Sequence, residues 1–115
     1  MCIFCKIIAG QIPSTFLYND DKRVIIKDIE PKAELHYLAI PTQHYALIAD
    51  ANAEQLADLS YILGKIAELK DSLGLKDGYR LIVNQGEAAG QTVHHLHIHV
   101  MGGQNLDFPD LRNNA

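Results

Sequence analysis

No cluster of basic residues occurs anywhere in this chain. Ten lysines and arginines stand against fourteen aspartates and glutamates, a net charge of −4. A nucleic-acid polymer is therefore not the expected partner. A single nucleotide is not excluded, because backbone N–H groups and neutral side chains can hold one phosphate. No apolar run approaches the roughly 20 residues that span a bilayer. Met1-Cys2-Ile3 lacks the charged start and long apolar stretch of a secretory signal. The expected place is the cytoplasm. Cysteines number two, Cys2 and Cys5, too close together for an ordinary structural disulfide. In a reducing compartment a Cys-x-x-Cys is more often metal-binding or redox-active. It follows no strand of a βαβ pattern, which disfavours a thioredoxin-like motif. Repeats, low-complexity segments and linkers are missing as well. What remains is 115 residues with 48% hydrophobic content and a mean hydropathy near zero. These fit one globular domain, 1–115, with residues 104–115 as a tail.

The pattern predicts a mixed fold. Phe4 to Ala9 reads as a short helix that Gly10 stops. Thr15 to Tyr18 and Arg23 to Lys27 read as a hairpin around Asn19-Asp20-Asp21. His36 to Pro41 is a further strand, and Tyr79 to Val83 another. Residues 53–73 form the one long helix, with Asn52 as N-cap and Gln55 at the capping-box position. Leu56, Leu59, Leu63, Ile66 and Leu73 make its apolar stripe, Ile62 and Leu69 widen it, and Gly74 is placed for the turn at its end. The class is α+β: about five antiparallel strands with helix packed to one side.

The informative stretch is His95-Leu96-His97-Ile98-His99-Val100-Met101. Strict alternation is what a half-buried strand looks like, with His95, His97 and His99 on one face and Leu96, Ile98 and Val100 toward a core. A solvated face that happens to be histidine-rich is the plainer alternative. Three imidazoles are a poor choice for stability, since each ring brings two polar nitrogens that need partners. Their chemistry is more useful. A neutral imidazole offers a lone pair near pH 7, and its aim is fixed once the other nitrogen donates its hydrogen. Such a nitrogen can attack phosphorus to give a covalent intermediate. The middle position nominates His97, with His95 and His99 close enough on either side to touch the same phosphate or leaving group. The preceding loop contains Gly90, where backbone can come close, and Gln91, Thr92 and Val93, whose N–H groups suit phosphate oxygens. Glycines in a loop usually mark only a turn.

This run, with Ile3-Phe4, Asp28-Ile29, Ile40-Pro41, Tyr79 to Asn84 and Gly102-Gly103, resembles the histidine triad family of nucleotide hydrolases and transferases over almost the whole chain. Gly-Gly after the triad resembles the Hint branch, which cleaves nucleoside phosphoramidates; the Fhit branch usually has Pro-Arg there. The resemblance implies a compact α+β domain that pairs as a homodimer, its sheet continuing across the interface. It implies His97 as nucleophile, supported by His99, His95, the Thr92 hydroxyl and a fourth histidine, His36. It makes Asp28 the ribose acceptor and Asn84, Gly90, Gln91, Thr92 and Val93 phosphate-side contacts. It puts Phe4, Ile7, Ile26, Ile29 and Leu38 at or near the base pocket, where residues alone would assign them to the core. Lys27 stands where Hint relatives often have His, and His94 where relatives carry an aromatic residue; alternation puts His94 on the opposite face, a structural place.

The resemblance further implies a structural zinc site from Cys2, Cys5, His44 and His95, as in some bacterial members. Many relatives lack these cysteines, and two reduced thiols at a terminus are the alternative. No organic cofactor is expected. The tail of Hint relatives reaches the partner's site with an aromatic residue, commonly Trp; Phe108 matches that position. The expected activity is hydrolysis of a purine nucleoside 5′-phosphoramidate, releasing AMP or GMP from an amine or lysine. Two alternatives stay open: a dinucleoside polyphosphate hydrolase or nucleotidyl transferase, and a zinc-stabilised nucleotide- or partner-binding module with little turnover.

Overall fold

A five-stranded antiparallel sheet, order β1-β2-β3-β5-β4, forms the frame. The computed structural model describes residues 2–107 and 109–111. In chain order the elements are α1 (Ile3–Ile8), β1 (Phe16–Asn19), β2 (Arg23–Lys27), β3 (Leu35–Pro41), α2 (Ala53–Glu68), β4 (Tyr79–Ile82) and β5 (Ile98–Gly102), with single 3₁₀ turns at Ile48–Asp50 and Glu87–Ala89. The expected hairpin is β1–β2, pairing Asn19 with Val24. Asp20 closes it by accepting the N–H groups of Lys22 and Arg23 at 2.8 and 3.0 Å. Among the described residues no helix is long and apolar enough to cross a membrane.

Period-two alternation gives the sheet two apolar faces, and each takes a helix. Ile25, Tyr37, Ala39, Ile98 and Val100 pack under Ile62 and Ile66 of α2. Val24, Ile26, Leu38 and Ile40 point the other way, under Phe4 and Ile7 of α1. The expectation of helix on one side is thus corrected: α1 is short but covers the second face. Burying each valine, leucine, isoleucine or phenylalanine among these contributes roughly 1.5–3 kcal/mol. Arg23 joins the hairpin to α2, binding Asp58 at 2.6 Å and Asp20 at 3.1 Å and lying 4.0 Å over the ring of Tyr61.

Helix α2 begins as its sequence predicts. Asn52 and Gln55 form a reciprocal capping box, at 2.8 and 2.9 Å. It ends at Glu68 rather than at residue 73. Leu69 leaves helical geometry at ψ 3°, yet the Leu73 N–H still reaches the Leu69 carbonyl at 3.0 Å. Apolar spacing therefore outlasts the helix, and Leu73 and Leu75 are buried from within a turn. The buried line is also rotated from the expected stripe: Ile62 and Ile66 are at most 2% exposed, whereas Leu56 and Leu63 are 44% and 47% exposed.

The triad strand is shorter than its alternation suggests. Pairing with β3 runs from Leu35↔Gly102 to Ala39↔Ile98 and stops, so His99 alone of the triad lies in β5. Continuing the register would set Leu96 opposite Pro41, which has no N–H to give. The Leu96 N–H instead donates to the Tyr45 carbonyl at 2.7 Å. Gly102 shows why a side chain is not tolerated next to the triad. A Cβ there would lie 2.6 Å from Leu75 Cδ2 and 3.0 Å from the Gly78 carbonyl.

Candidate active site

Each histidine of the site has one nitrogen fixed by a main-chain group or a neighbouring ring, and this decides what its other nitrogen can do. His97 Nδ1 lies 2.7 Å from the His95 carbonyl. A carbonyl only accepts, so Nδ1 carries the hydrogen and Nε2 keeps a lone pair. His36 Nδ1 accepts the Lys32 N–H at 2.9 Å, so its hydrogen sits on Nε2, 2.9 Å from His99 Nδ1 and 3.4 Å from Asp28 Oδ2. His99 Nδ1 is then an acceptor and Nε2–H a donor. The rings of His97 and His99 stand 5.0 Å apart between centroids. A lone pair and an N–H donor thus sit side by side on the α1 face of the sheet.

Burial favours the uncharged form of His36 and His99. It pushes His99 down to about 4, helped by His97 and His36 and opposed by Asp28. His36 is lowered chiefly by burial, against the attraction of Asp28. Asp28, His36 and His99 also lie close enough to suggest a metal site. The Lys32 N–H argues against it, because a His36 whose Nδ1 already accepts has only a protonated nitrogen to present. This group is a hydrogen-bond relay.

His95 departs from its sequence reading as a phosphate contact. Its Nε2 meets the Pro41 carbonyl at 2.7 Å, so its lone pair is on Nδ1, which faces Cys2 Sγ at 3.6 Å, Cys5 Sγ at 3.5 Å and His44 Nδ1 at 3.2 Å. No nitrogen of this ring is left for a phosphate. His44 Nδ1 and Cys5 Sγ are 3.3 Å apart. Tetrahedral zinc, with bonds of about 2.3 Å to sulfur and about 2.0 Å to nitrogen, sets S and N about 3.5 Å apart and two nitrogens about 3.3 Å apart. The four donors fit. Burial and the neighbouring Cys2 push the Cys5 thiol up, a cost that a bound cation removes. All four ligands fill the tetrahedron, so the ion would supply structure and no open coordination position.

The loop before the triad is held by Gln91, which is 2% exposed. Its Oε1 accepts the Gly86 N–H at 2.8 Å and its Nε2 donates to the Ala46 carbonyl at 2.9 Å. The Gln91 N–H is spent on the Gly86 carbonyl at 3.1 Å, so the expected phosphate donors narrow to the N–H groups of Thr92 and Val93. Neither has a hydrogen-bond acceptor among the described residues. Gly90, at φ +99°, needs the left-handed region, and Asn84 Nδ2 lies beside it. Of the expected base-pocket residues, Phe4, Ile7, Ile26 and Leu38 form one cluster with Val93 packed on it. Ile29 stands apart at 86% exposure, and Lys27 is exposed at the end of β2. His94 is on the surface, 3.7 Å from Glu87. Phe108 lies outside the described residues. Sequence reasoning missed Lys32 and Pro41, which act through main-chain atoms that side-chain identity does not reveal, and Gln85, whose Oε1 anchors the loop to the Ile48 N–H at 2.8 Å.

An α+β fold whose antiparallel sheet sets an aimed imidazole lone pair beside an imidazole donor on one face is the arrangement of a histidine triad protein. Residues 9–106 match the HIT domain, and the chain belongs to that family. It is 45% identical over 101 residues to Protein HitA of Neisseria gonorrhoeae, covering 88% of this chain and 94% of the relative. A HIT family hydrolase from Legionella pneumophila superposes with a TM-score of 0.88 at 39% identity, over 95% of this chain and 98% of that one. A zinc-bound histidine triad family protein from Mycobacterium smegmatis gives 0.80 at 34% identity, over 98% and 82%.

Proposed function

We propose that this protein hydrolyses the P–N bond of purine nucleoside 5′-phosphoramidates through a nucleotidyl-histidine intermediate. The observation that carries this reading is the pair of fixed tautomers: the free lone pair of His97 beside the N–H donor of His99. His97 Nε2 attacks phosphorus as the P–N bond breaks, and the imidazolium that forms keeps its Nδ1–H on the His95 carbonyl. The leaving amine takes up a proton in this step, and water gives one up when it cleaves the intermediate. Solvent exchanges these two protons, and neutral His99 keeps its Nε2–H, which donates a hydrogen bond to the phosphate or leaving amine in both. Thr92 and Val93 supply N–H groups to the phosphate, with Gly90 admitting the backbone and Asn84 beside it. Asp28 takes the ribose hydroxyls, and the Phe4, Ile7, Ile26 and Leu38 cluster lines the base slot. The protein works as a cytoplasmic enzyme. The test is steady-state turnover on adenosine 5′-phosphoramidate against diadenosine polyphosphate. At least about a hundredfold higher kcat/KM on the phosphoramidate is expected; the reverse preference would assign the protein to dinucleotide hydrolysis.

Zinc is proposed at Cys2, Cys5, His44 and His95, supported by the donor distances and by the zinc-bound relative. Protein purified without chelator is expected to hold about one equivalent per chain, lost when Cys2→Ser and Cys5→Ser are combined. Less than about a tenth of an equivalent by metal analysis refutes the site. A homodimer is proposed as well. β4 is an edge strand whose Leu81 is 38% exposed, and Leu56 and Leu63 of α2 are exposed too. Pairing two β4 edges would satisfy their unpaired main-chain groups and cover this apolar surface. Light scattering at micromolar concentration should give twice the chain mass, and a monomer there rules the dimer out.

A further inference from the structure

The Cys₂His₂ cluster and the ring of His97 are joined by two residues. His95 gives its ring to the cluster, while its carbonyl fixes the tautomer of His97. Phe4 lies between the two thiol positions, on the first turn of α1, and is 6% exposed. Its ring meets His97 edge-on, centroids 4.9 Å apart at 77°, and meets His95 at 6.0 Å and 79°. Helix α1 has only six residues and no side-chain cap at Cys2, far too little to be stable alone. Its placement depends on what grips it: Ile7 in the apolar cluster on one side and the two sulfurs among His44 and His95 on the other.

We propose that Phe4 is a positioning residue for the nucleophile, and that a zinc ion bound by the four ligands holds Phe4 there. The inference rests on the nucleophile reading of His97 and extends it, giving the metal an effect on the rate besides its effect on stability. An edge-on aromatic contact restricts rotation of the His97 ring about its side-chain bonds. Without it, the ring can leave the His95 carbonyl, and Nδ1–H and Nε2–H forms then interchange. The attacking lone pair is present and aimed for only part of the time. Misplacement of this kind costs a rate factor of about ten to a hundred. Loss of the metal alone changes substrate affinity little, whereas replacing Phe4 also removes one wall of the base slot.

The experiment compares wild type, Phe4→Ala and Phe4→Leu, each with one equivalent of Zn²⁺ and each after chelator treatment, with metal analysis and melting curves as controls. Phe4→Leu keeps the apolar volume and carries the test should Phe4→Ala fail to fold. The first readout is the ring ¹⁵N spectrum of His97 without substrate. Zinc-loaded wild type is expected to show a single Nδ1–H tautomer, and both stripped wild type and the loaded variants a mixture. The second is turnover on adenosine 5′-phosphoramidate. Stripping the wild type is expected to lower kcat about tenfold or more with KM within about threefold, and replacing Phe4 to lower kcat as much while KM also rises for the lost wall of the base slot. Stripping a Phe4 variant should lower kcat no further, because the metal acts through the ring already lost. A single tautomer in stripped wild type overturns the proposal. So do independent factors that multiply, and so does a Phe4 effect confined to KM, which would place the ring in the base slot alone. The spectrum needs no substrate, so failure of the hydrolase reading would show as missing turnover with the tautomer result intact.

Discussion

His97→Ala is expected to remove turnover by several orders of magnitude while nucleotide binding persists. The size follows from the role. A nucleophile forms the bond that divides the reaction into two steps, and no neighbour can replace it here: His95 has both nitrogens engaged, and the free nitrogen of His99 carries a hydrogen while its Nδ1 accepts from His36. Loss of a nucleophile characteristically leaves only the rate that binding and electrostatics supply. Quenched wild-type reactions should contain a nucleotidyl adduct on His97 by peptide mass spectrometry, and the variant none. Binding measured by calorimetry with AMP should stay within about tenfold, since the groups assigned to phosphate and ribose are untouched. A melting curve controls for lost packing, because the ring is 8% exposed and its removal costs roughly 1–3 kcal/mol. Wild-type-like turnover in the variant would falsify the covalent mechanism.

How much of this was legible in the residues depended on whether side chains or main-chain atoms did the work. The hairpin, β3, β4 and the start of α2 follow from alternation, turn residues and a capping box, all side-chain signals. The end of α2 does not, because Leu69 and Leu73 keep helical spacing through a turn that is no longer helix. Alternation likewise overstated β5. His95 and His97 continue the pattern, but the ladder stops where Pro41 offers no donor. At the site, His97 was nominated by its central position, and the structure adds its tautomer. His95 was read both as a contact to the phosphate or leaving group and as a zinc ligand; the Pro41 carbonyl, invisible in a list of side chains, leaves its lone pair to the cysteines and favours the second role alone. The cluster itself brings residue 2 together with residue 95, a proximity that spacing alone does not encode and that the family resemblance supplied. The relay from Lys32 through His36 to His99 begins at a backbone N–H, so nothing in residue type announces it.

Acid is expected to destabilise the fold steeply between about pH 6.5 and pH 4. His36, His95 and His99 are all held below the usual imidazole value, each first of all by burial. In the unfolded chain the same rings take up protons near 6.5, so below that pH the unfolded state binds more protons than the folded one. Stability then falls as pH falls, by about 1.4 kcal/mol per pH unit for each ring fully in this condition. The cost fades over about one pH unit above 6.5 and, for His99, stops growing near 4, where the folded ring protonates too. Partial solvent access discounts the contribution of His99 to roughly 2 kcal/mol. Asp20 does not contribute in this window. Burial alone would raise it, but hydrogen bonds from Tyr18, Lys22 and Arg23 outweigh that and leave it below its ordinary 3.8, so its loss begins only at lower pH. Zinc at the proposed site would sharpen the effect, because protons compete with the metal for His44, His95 and the thiols. Urea midpoints measured at pH 7.5, 6.5, 5.5 and 4.5 should drop slightly between the first pair and fall more steeply across the rest. His99→Gln should flatten the slope by up to one proton. A midpoint unchanged from pH 6.5 to 4.5 would show that the rings are protonated in the folded protein, and with them the neutral hydrogen-bond relay would have to be abandoned.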